Sequence, residues 1–252
     1  MWNLNNKKVV ITGGTKGIGK ATVYEFLQLG ARVLFSSRNN QDLIDFESEL
    51  RQQNYDATGI YGDISIKEDQ LALVQWVEKN WGALDVLVNN AGHGINKPLD
   101  EITREDYNSV IEIILIAPFE IALLMYPFLR KGICPSIINV SSVAGILDVH
   151  TGVPYGTSKA GLIQQTKNLA VEWATDGIRV NAVSPWFTNT PRAANLLENE
   201  SLMRTILSRT PLHRVARADE VAAVIAFLAM DKSSYITGQN IIVDGGMSIK
   251  GL

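Results

Sequence analysis

The chain has a single cysteine, Cys134, so an internal disulfide is excluded, and its three histidines do not combine with that thiol at the spacing of a zinc site. Both scarcities fit a reducing, cytoplasmic setting, and no metal is expected. A basic excess is also missing. The formal net charge of −3 leaves no general electrostatic footprint for DNA, RNA or an anionic membrane. The opening residues MWNLNNKKVVITGG pass from a few polar residues straight into a strand-like stretch, without a signal peptide's apolar region and cleavage site, so export is not expected. The most membrane-like segment, Val110 to Leu129, carries Glu112 and Glu120 and is interrupted by Pro118 and Pro127. A helix apolar on most sides is buried in the core or against another subunit, which raises the expectation of a homodimer or homotetramer.

What is present is enough apolar sequence for one large core: 46% of 252 residues are hydrophobic, and no linker, repeat or long charge run divides them. One domain over residues 1–252 is expected. Short β-branched runs alternate with helical patterns, which implies an α/β fold with a doubly wound parallel sheet of Rossmann type. Expected strands are Val9 to Thr12, Arg32 to Ser36, Ala57 to Tyr61, Leu84 to Val88, Ser136 to Val140, Arg179 to Ala182 and Asn240 to Val243. Expected helices run over Gly17–Leu29, Gln41–Gln53, Lys67–Lys79, Arg104–Leu129, Val153–Thr175 and Asp219–Leu228. The stretch 186–214 is too long for an ordinary connection and reads as a mobile substrate loop.

Directly after the first strand comes Thr12-Gly13-Gly14-Thr15-Lys16-Gly17-Ile18-Gly19, opening a helix. Glycines at 13, 17 and 19 permit a tight turn and let a pyrophosphate approach the backbone amides at the helix's positive end. An ordinary structural turn is the competing reading. At the tip of the second strand an NAD site usually places Asp or Glu, whereas here Ser36-Ser37 ends in Arg38. Arg38 and Lys16 are therefore read as cations for the 2′-phosphate of NADP(H), set against a reading as two solvated surface charges. Asp63 has two readings, as acceptor for an adenine amino group or as cap of the following helix. Asn89-Asn90-Ala91-Gly92 ends the fourth strand, where ligands of open α/β sheets bind and small residues let a cofactor lie against the backbone.

Tyr155 and Lys159 stand four apart and share one helix face. A phenol titrates near pH 10, and a neighbouring ammonium favours its ionised form, so the pair suits a general acid/base. Ser142, after the fifth strand, is placed to hydrogen-bond the same substrate oxygen.

The ordered set of Thr12–Gly19, Asn89–Gly92, Ser142, Tyr155, Lys159 and Asp244-Gly245-Gly246 resembles the short-chain dehydrogenase/reductase family over nearly the whole chain. Within it, Ser36-Ser37-Arg38-Asn39 and Asn181–Trp186 resemble tropinone-reductase-like members. The resemblance implies a seven-stranded parallel sheet, a Ser142, Tyr155 and Lys159 triad, and Lys159 bonding the nicotinamide ribose. It implies dimers or tetramers packed through helices near 104–129 and 153–175. Its implied cofactor site comprises Gly13, Thr15, Lys16, Gly17, Ile18, Gly19, Ser37, Arg38, Asp63, Ile64, Asn90, Ala91, Gly92, Tyr155, Lys159 and Pro185, with Thr188 and Thr190 at the carboxamide.

Two positions depart from the family pattern. Ile114 stands where members commonly carry an asparagine that holds a water in a proton relay to the lysine, so catalysis is expected to survive with altered pH dependence. Trp186 replaces a common glycine and reads as a wall of the substrate pocket or as packing. His93 has a pocket reading and a structural one, and Cys134 reads as a quiet packing residue. The combined expectation is NADPH-dependent reduction of a small, largely apolar ketone or aldehyde. The alternative is a catalytically weak nucleotide-binding regulator of the same fold.

Overall fold

A computed structural model describes residues 2–95 and 97–251. The main strands are β1 (Lys8–Ile11), β2 (Arg32–Ser37), β3 (Ala57–Tyr61), β4 (Val86–Asn89), β5 (Ser136–Val140) and β6 (Arg179–Pro185). A short strand β7 (Thr188–Asn189) pairs with β8 (Ala216–Arg217), and β9 (Asn240–Val243) completes the main sheet. That sheet has seven strands in the order β3-β2-β1-β4-β5-β6-β9, all parallel. It is the doubly wound Rossmann-type architecture that the alternating pattern implies. The strand order reverses between β1 and β4, so a crevice opens beyond their carboxyl ends.

Both faces of the central strands are buried, which is why those strands read as continuous apolar runs, while the edge strands β3 and β9 are only partly covered. On one face Val10, Leu87 and Ile137 pack against α3 (Lys67–Asn80), α5 (Ala117–Leu129) and α6 (Val153–Glu172) through Leu73, Met125 and Leu162. On the other, Val9, Val86 and Ile138 meet α1 (Gly17–Gln28), α2 (Asn40–Gln52) and α9 (Ala218–Ala229) through Phe26, Phe46 and Ile225. Successive strand residues thus feed opposite layers.

Several expectations need correction. The stretch 104–129 is continuously helical, as expected, but not α throughout: α4 (Arg104–Ile111) passes through a π-helical turn, Glu112–Ile116, into α5. Pro118 has no N–H to offer the Ile114 carbonyl four residues earlier, and the wider turn accommodates that defect. By length and mean hydropathy, 2.0, this stretch is apolar enough to cross a membrane, but Val110, Ile114, Ile121 and Met125 are spent in the core. The fourth strand starts two residues late because the buried Asp85 carboxylate accepts from the Lys8 and Ile133 amides, 2.8 and 2.6 Å, at the strand's entry. The sixth runs on to Pro185 because β9 pairs with it to the end. The loop 186–214 contains two helices, α7 (Ala194–Leu197) and α8 (Glu200–Arg209), the latter capped by Asn199 accepting from the Leu202 amide. Cys134 is exposed and left-handed, φ 48°, not packed inside.

Candidate active site

The glycine turn is closed by the end of β4. The Asn90 side-chain amide donates to the carbonyls of Thr12 and Gly13, 3.0 and 2.9 Å, while the Thr12 hydroxyl accepts from the Asn90 and Ala91 amides. A Cβ on Gly19 would sit 2.1 Å from the Gly13 carbonyl oxygen and 2.5 Å from the Asn90 amide nitrogen, so only glycine fits. The turn is thus a cradle of backbone at the N-terminus of α1, the shape and polarity that a pyrophosphate needs. Ile18 leads α1 and packs against the core. Beyond the turn, the Thr15 and Ser37 hydroxyls share a hydrogen bond of 3.0 Å, tying the turn to the tip of β2.

Neither proposed phosphate cation is alone. Lys16 pairs with Asp42 at 2.6 Å, and Arg38 faces Asp63 at 3.9 Å, with both cations largely exposed. Asp63 is not the cap of α3. Its carboxylate accepts from the Ser65 amide and hydroxyl, 3.0 and 2.7 Å, while α3 starts only at Lys67 behind Ile66. Burial alone would raise the Asp63 carboxyl, but those bonds and the Arg38 charge outweigh it and hold it below the usual range. Ile64 is buried beside it.

At the other end of the cleft, β5 and α6 position the Ser-Tyr-Lys set. Ser142 precedes a short turn, Val143–Gly145, and its hydroxyl oxygen accepts from the Ala144 amide at 3.1 Å, leaving its proton free to donate. Lys159 is buried and donates to the Val140 carbonyl at 2.6 Å, while Ser141 donates to the Lys159 carbonyl at 3.0 Å, so α6 is pinned to the end of β5. Deeper in, Asn89, Asn139 and Thr166 form a buried chain of 2.8 Å bonds across β4, β5 and α6. Tyr155 stands one turn before Lys159, whose ammonium lies 5.6 Å from the centre of its ring.

Electrostatically this end departs from expectation. Burial pushes the Tyr155 phenol above its ordinary value, and the downward pulls come from the Arg192 guanidinium and the Ser142 hydroxyl rather than from Lys159. Lys159 is itself lowered to about 7, by burial first and then by the like charge of Arg192. With its pKa near 7, Lys159 has lost most of its charge where a phenol ionises, so it contributes little to ionising Tyr155.

Sequence reasoning missed Arg192. Its guanidinium lies 5.4 Å from the centre of the Tyr155 ring and donates to the Gly92 carbonyl at 3.3 Å. Gly94 leaves room for it, because a Cβ there would lie 2.8 Å from Nη2 of Arg192 and 3.2 Å from Cδ2 of Tyr155. Two residues earlier, Thr190 packs on Gly17 of the glycine turn, so this loop spans the cleft from one end to the other. The only signal available was a lone cation in Thr190-Pro191-Arg192-Ala193.

The remaining expected residues divide. Gly92 adjoins Ile114 and the Lys159 ammonium. His93 is half-buried with Nδ1 unpartnered, and burial together with Arg38 and Arg192 lowers its pKa, so it is neutral near pH 7. Pro185 is buried at the end of β6. The Thr188 hydroxyl is committed to the Trp186 carbonyl at 3.0 Å. Trp186 is half-buried: its indole N–H donates to Thr210 at 3.2 Å and its ring meets Phe187 edge-on.

A family model described as enoyl-(acyl carrier protein) reductase matches residues 13–248. A tropinone reductase homolog of Arabidopsis thaliana is 38% identical over 99% of this chain and 95% of its own length. A second homolog of the same plant is 40% identical over 99% and 93%. Among solved structures, a gluconate 5-dehydrogenase from Burkholderia cenocepacia in complex with NADP and tartrate has a TM-score of 0.93 at 27% identity, covering 99% of this chain and 98% of that one. The Pseudomonas aeruginosa RhlG/NADP active-site complex has a TM-score of 0.92 at 28% identity, covering 98% of each.

Proposed function

The chain belongs to the short-chain dehydrogenase/reductase family of oxidoreductases, and from that premise we propose that it is an NADPH-linked carbonyl reductase acting reversibly on a small ketone or aldehyde. The observation that carries this reading is the Tyr155 phenol, half-buried one turn before Lys159 and raised by desolvation, so that it holds its proton at neutral pH. Bound NADPH supplies a hydride. Tyr155 gives its proton to the carbonyl oxygen, and Ser142 donates a hydrogen bond to that oxygen and orients it. Lys159, at about 7, can take and release a proton near neutrality and so return one to Tyr155, besides holding the nicotinamide ribose.

For the cofactor, the backbone cradle of Gly13, Gly17 and Gly19 would hold the pyrophosphate, and Lys16, Ser37 and Arg38 the 2′-phosphate. The tip of β2 carries no acid, and the exposed Lys16–Asp42 and Arg38–Asp63 pairs are cheap to exchange for a phosphate. The two solved relatives with NADP support the same choice. Asp63, which faces Arg38 at 3.9 Å, would accept from the adenine amino group. A stripe of exposed apolar residues, Ile116, Phe119 and Leu123, supports assembly into a homodimer or homotetramer.

The test is NADPH oxidation, followed by nicotinamide absorbance, against cyclic ketones including tropinone, quinones, 3-oxoacyl thioesters and keto sugars, with gluconate and NADP for the reverse direction. Turnover should appear with at least one class and fall about 10²- to 10⁴-fold in Tyr155→Phe, with NADPH binding retained. Tight NADPH binding without turnover anywhere would replace this reading with a nucleotide-binding regulator.

A further inference from the structure

Resting on that reading, we propose that Arg192 is the substrate's anion anchor, and that the enzyme prefers carbonyl compounds bearing a carboxylate at the α or β position. The position of the guanidinium carries the proposal. It lies over the Tyr155 ring, 5.4 Å from its centre, in space that Gly94 leaves open. No hydrogen bond but the 3.3 Å one to the Gly92 carbonyl engages it among the described residues, so most of its planar fork of donors has no protein partner. Among those residues it also forms no ion pair with a carboxylate, unlike Lys16 and Arg38 at the other end of the cleft.

An exposed guanidinium beside the proton donor, with no carboxylate partner among the described residues, is available to an anion that enters the cleft. A carboxylate offers the two parallel acceptors that the fork matches. The charged side chain acting on both Tyr155 and Lys159 is Arg192, so an anion bound to it would also relieve its like-charge repulsion of Lys159. A carboxylate held at Arg192 and a carbonyl oxygen held at Tyr155 must be joined by a short link, which selects α- and β-oxo acids. In the reaction the carbonyl carbon gains the hydride, its π pair moves to oxygen, and that oxygen takes the Tyr155 proton. NADPH leaves as NADP⁺, the product is a hydroxy acid, and the carboxylate is unchanged. The same charge disfavours protonated amino ketones.

The experiment compares pyruvate and acetoacetate with their ethyl esters, and with cyclohexanone, in the wild type, Arg192→Leu and Arg192→Lys. In the wild type the acids should exceed their esters in kcat/KM by about 10- to 100-fold, the worth of one charged hydrogen-bonded contact. Arg192→Leu should collapse that ratio towards one, and Arg192→Lys should leave it intermediate. Esters favoured over acids in the wild type would overturn the anchor while leaving the carbonyl-reductase reading intact. So would an acid-to-ester ratio unmoved in Arg192→Leu while KM for NADPH rises, which would put the guanidinium on the cofactor. No turnover of any carbonyl would overturn the parent reading and the anchor together.

Discussion

The two ends of the cleft are built from different materials. At the glycine turn, backbone rests on backbone: Gly19 is fitted to the Gly13 carbonyl and fixed by Asn90, with charges only at the solvent edge. At the Tyr155 end, side chains from β5, α6 and the loop after β6 meet around buried, titratable groups. The first end should therefore be insensitive to pH and intolerant of added atoms. The second should be pH-sensitive and tolerant wherever the obstacle is a flexible side chain. The same change, glycine to alanine, made once at each end tests both. Gly19→Ala would drive a Cβ to 2.1 Å from a carbonyl oxygen, and should weaken NADPH binding by 10²-fold or more and cost about 2–4 kcal/mol of stability. Gly94→Ala meets the far end of Arg192 at 2.8 Å, which can swing aside, so stability should change by less than about 1 kcal/mol with NADPH affinity near that of the wild type. Fluorescence titration and thermal melts measure both, and equal losses of NADPH affinity would erase the distinction.

The next contrast is between two lysines. Lys159, lowered to about 7 by burial, binds its proton less tightly in the folded chain than in the unfolded one. Its penalty on stability is therefore full below about pH 7 and is relieved as pH rises towards the ordinary lysine value near 10.4. In cofactor-free protein, Lys159→Met should stabilise the fold by about 2–4 kcal/mol near pH 6, with the gain shrinking towards pH 10. Lys16→Met at the exposed end, where the lysine's only partner is Asp42 at the surface, should change stability by less than about 1 kcal/mol at pH 6. Denaturant midpoints across pH decide it, and a Lys159→Met gain that persists undiminished at high pH would break the assignment.

These ends also differed in how far the sequence revealed them. The glycine turn was legible because its cause is local: glycines between a strand and a helix mark a tight turn whatever they bind, and β3, β5 and β9 were bounded by turn residues at the places the structure shows. The all-round apolar stretch 104–129 hid its π-helical turn, since periodicity carries no mark where every face is apolar. Arg192 was invisible for another reason, because its partner Gly92 lies 100 residues away and no local pattern encodes that meeting. The surroundings of Lys159 were hidden as well, because four-residue spacing gives a shared face with Tyr155 but not the carbonyl that engages the ammonium.

At the rim of the glycine end, Arg38→Ala should lower the NADPH-over-NADH ratio of kcat/KM by about tenfold, a modest effect for an exposed cation that already faces Asp63. Steady-state rates with both cofactors measure it. A ratio left unaltered would remove Arg38 from the phosphate site and weaken the claim that this end is charged only at its edge.

The smallest effect on turnover is expected at Ile114, where the two materials touch. Ile114 is 1% exposed, and its Cγ1 lies 3.3 Å from where a Cβ on Gly92 would be, a point 3.9 Å from the Lys159 ammonium. An amide placed there would come near that ammonium and offer it an acceptor. Hydrogen bonding to the charged form favours it, so Ile114→Asn should raise the Lys159 pKa from about 7 and move the corresponding limb of the pH–rate profile upward. Turnover at the optimum should stay within about threefold, because neither Tyr155 nor Ser142 is displaced, while an incompletely satisfied buried amide should cost about 1–3 kcal/mol of stability. Ile114→Val changes volume without adding an acceptor and should leave the profile in place. Superimposable profiles and equal turnover for wild type and Ile114→Asn would show that the catalytic end does not sense this position, and that its titration is set by burial and Arg192 alone.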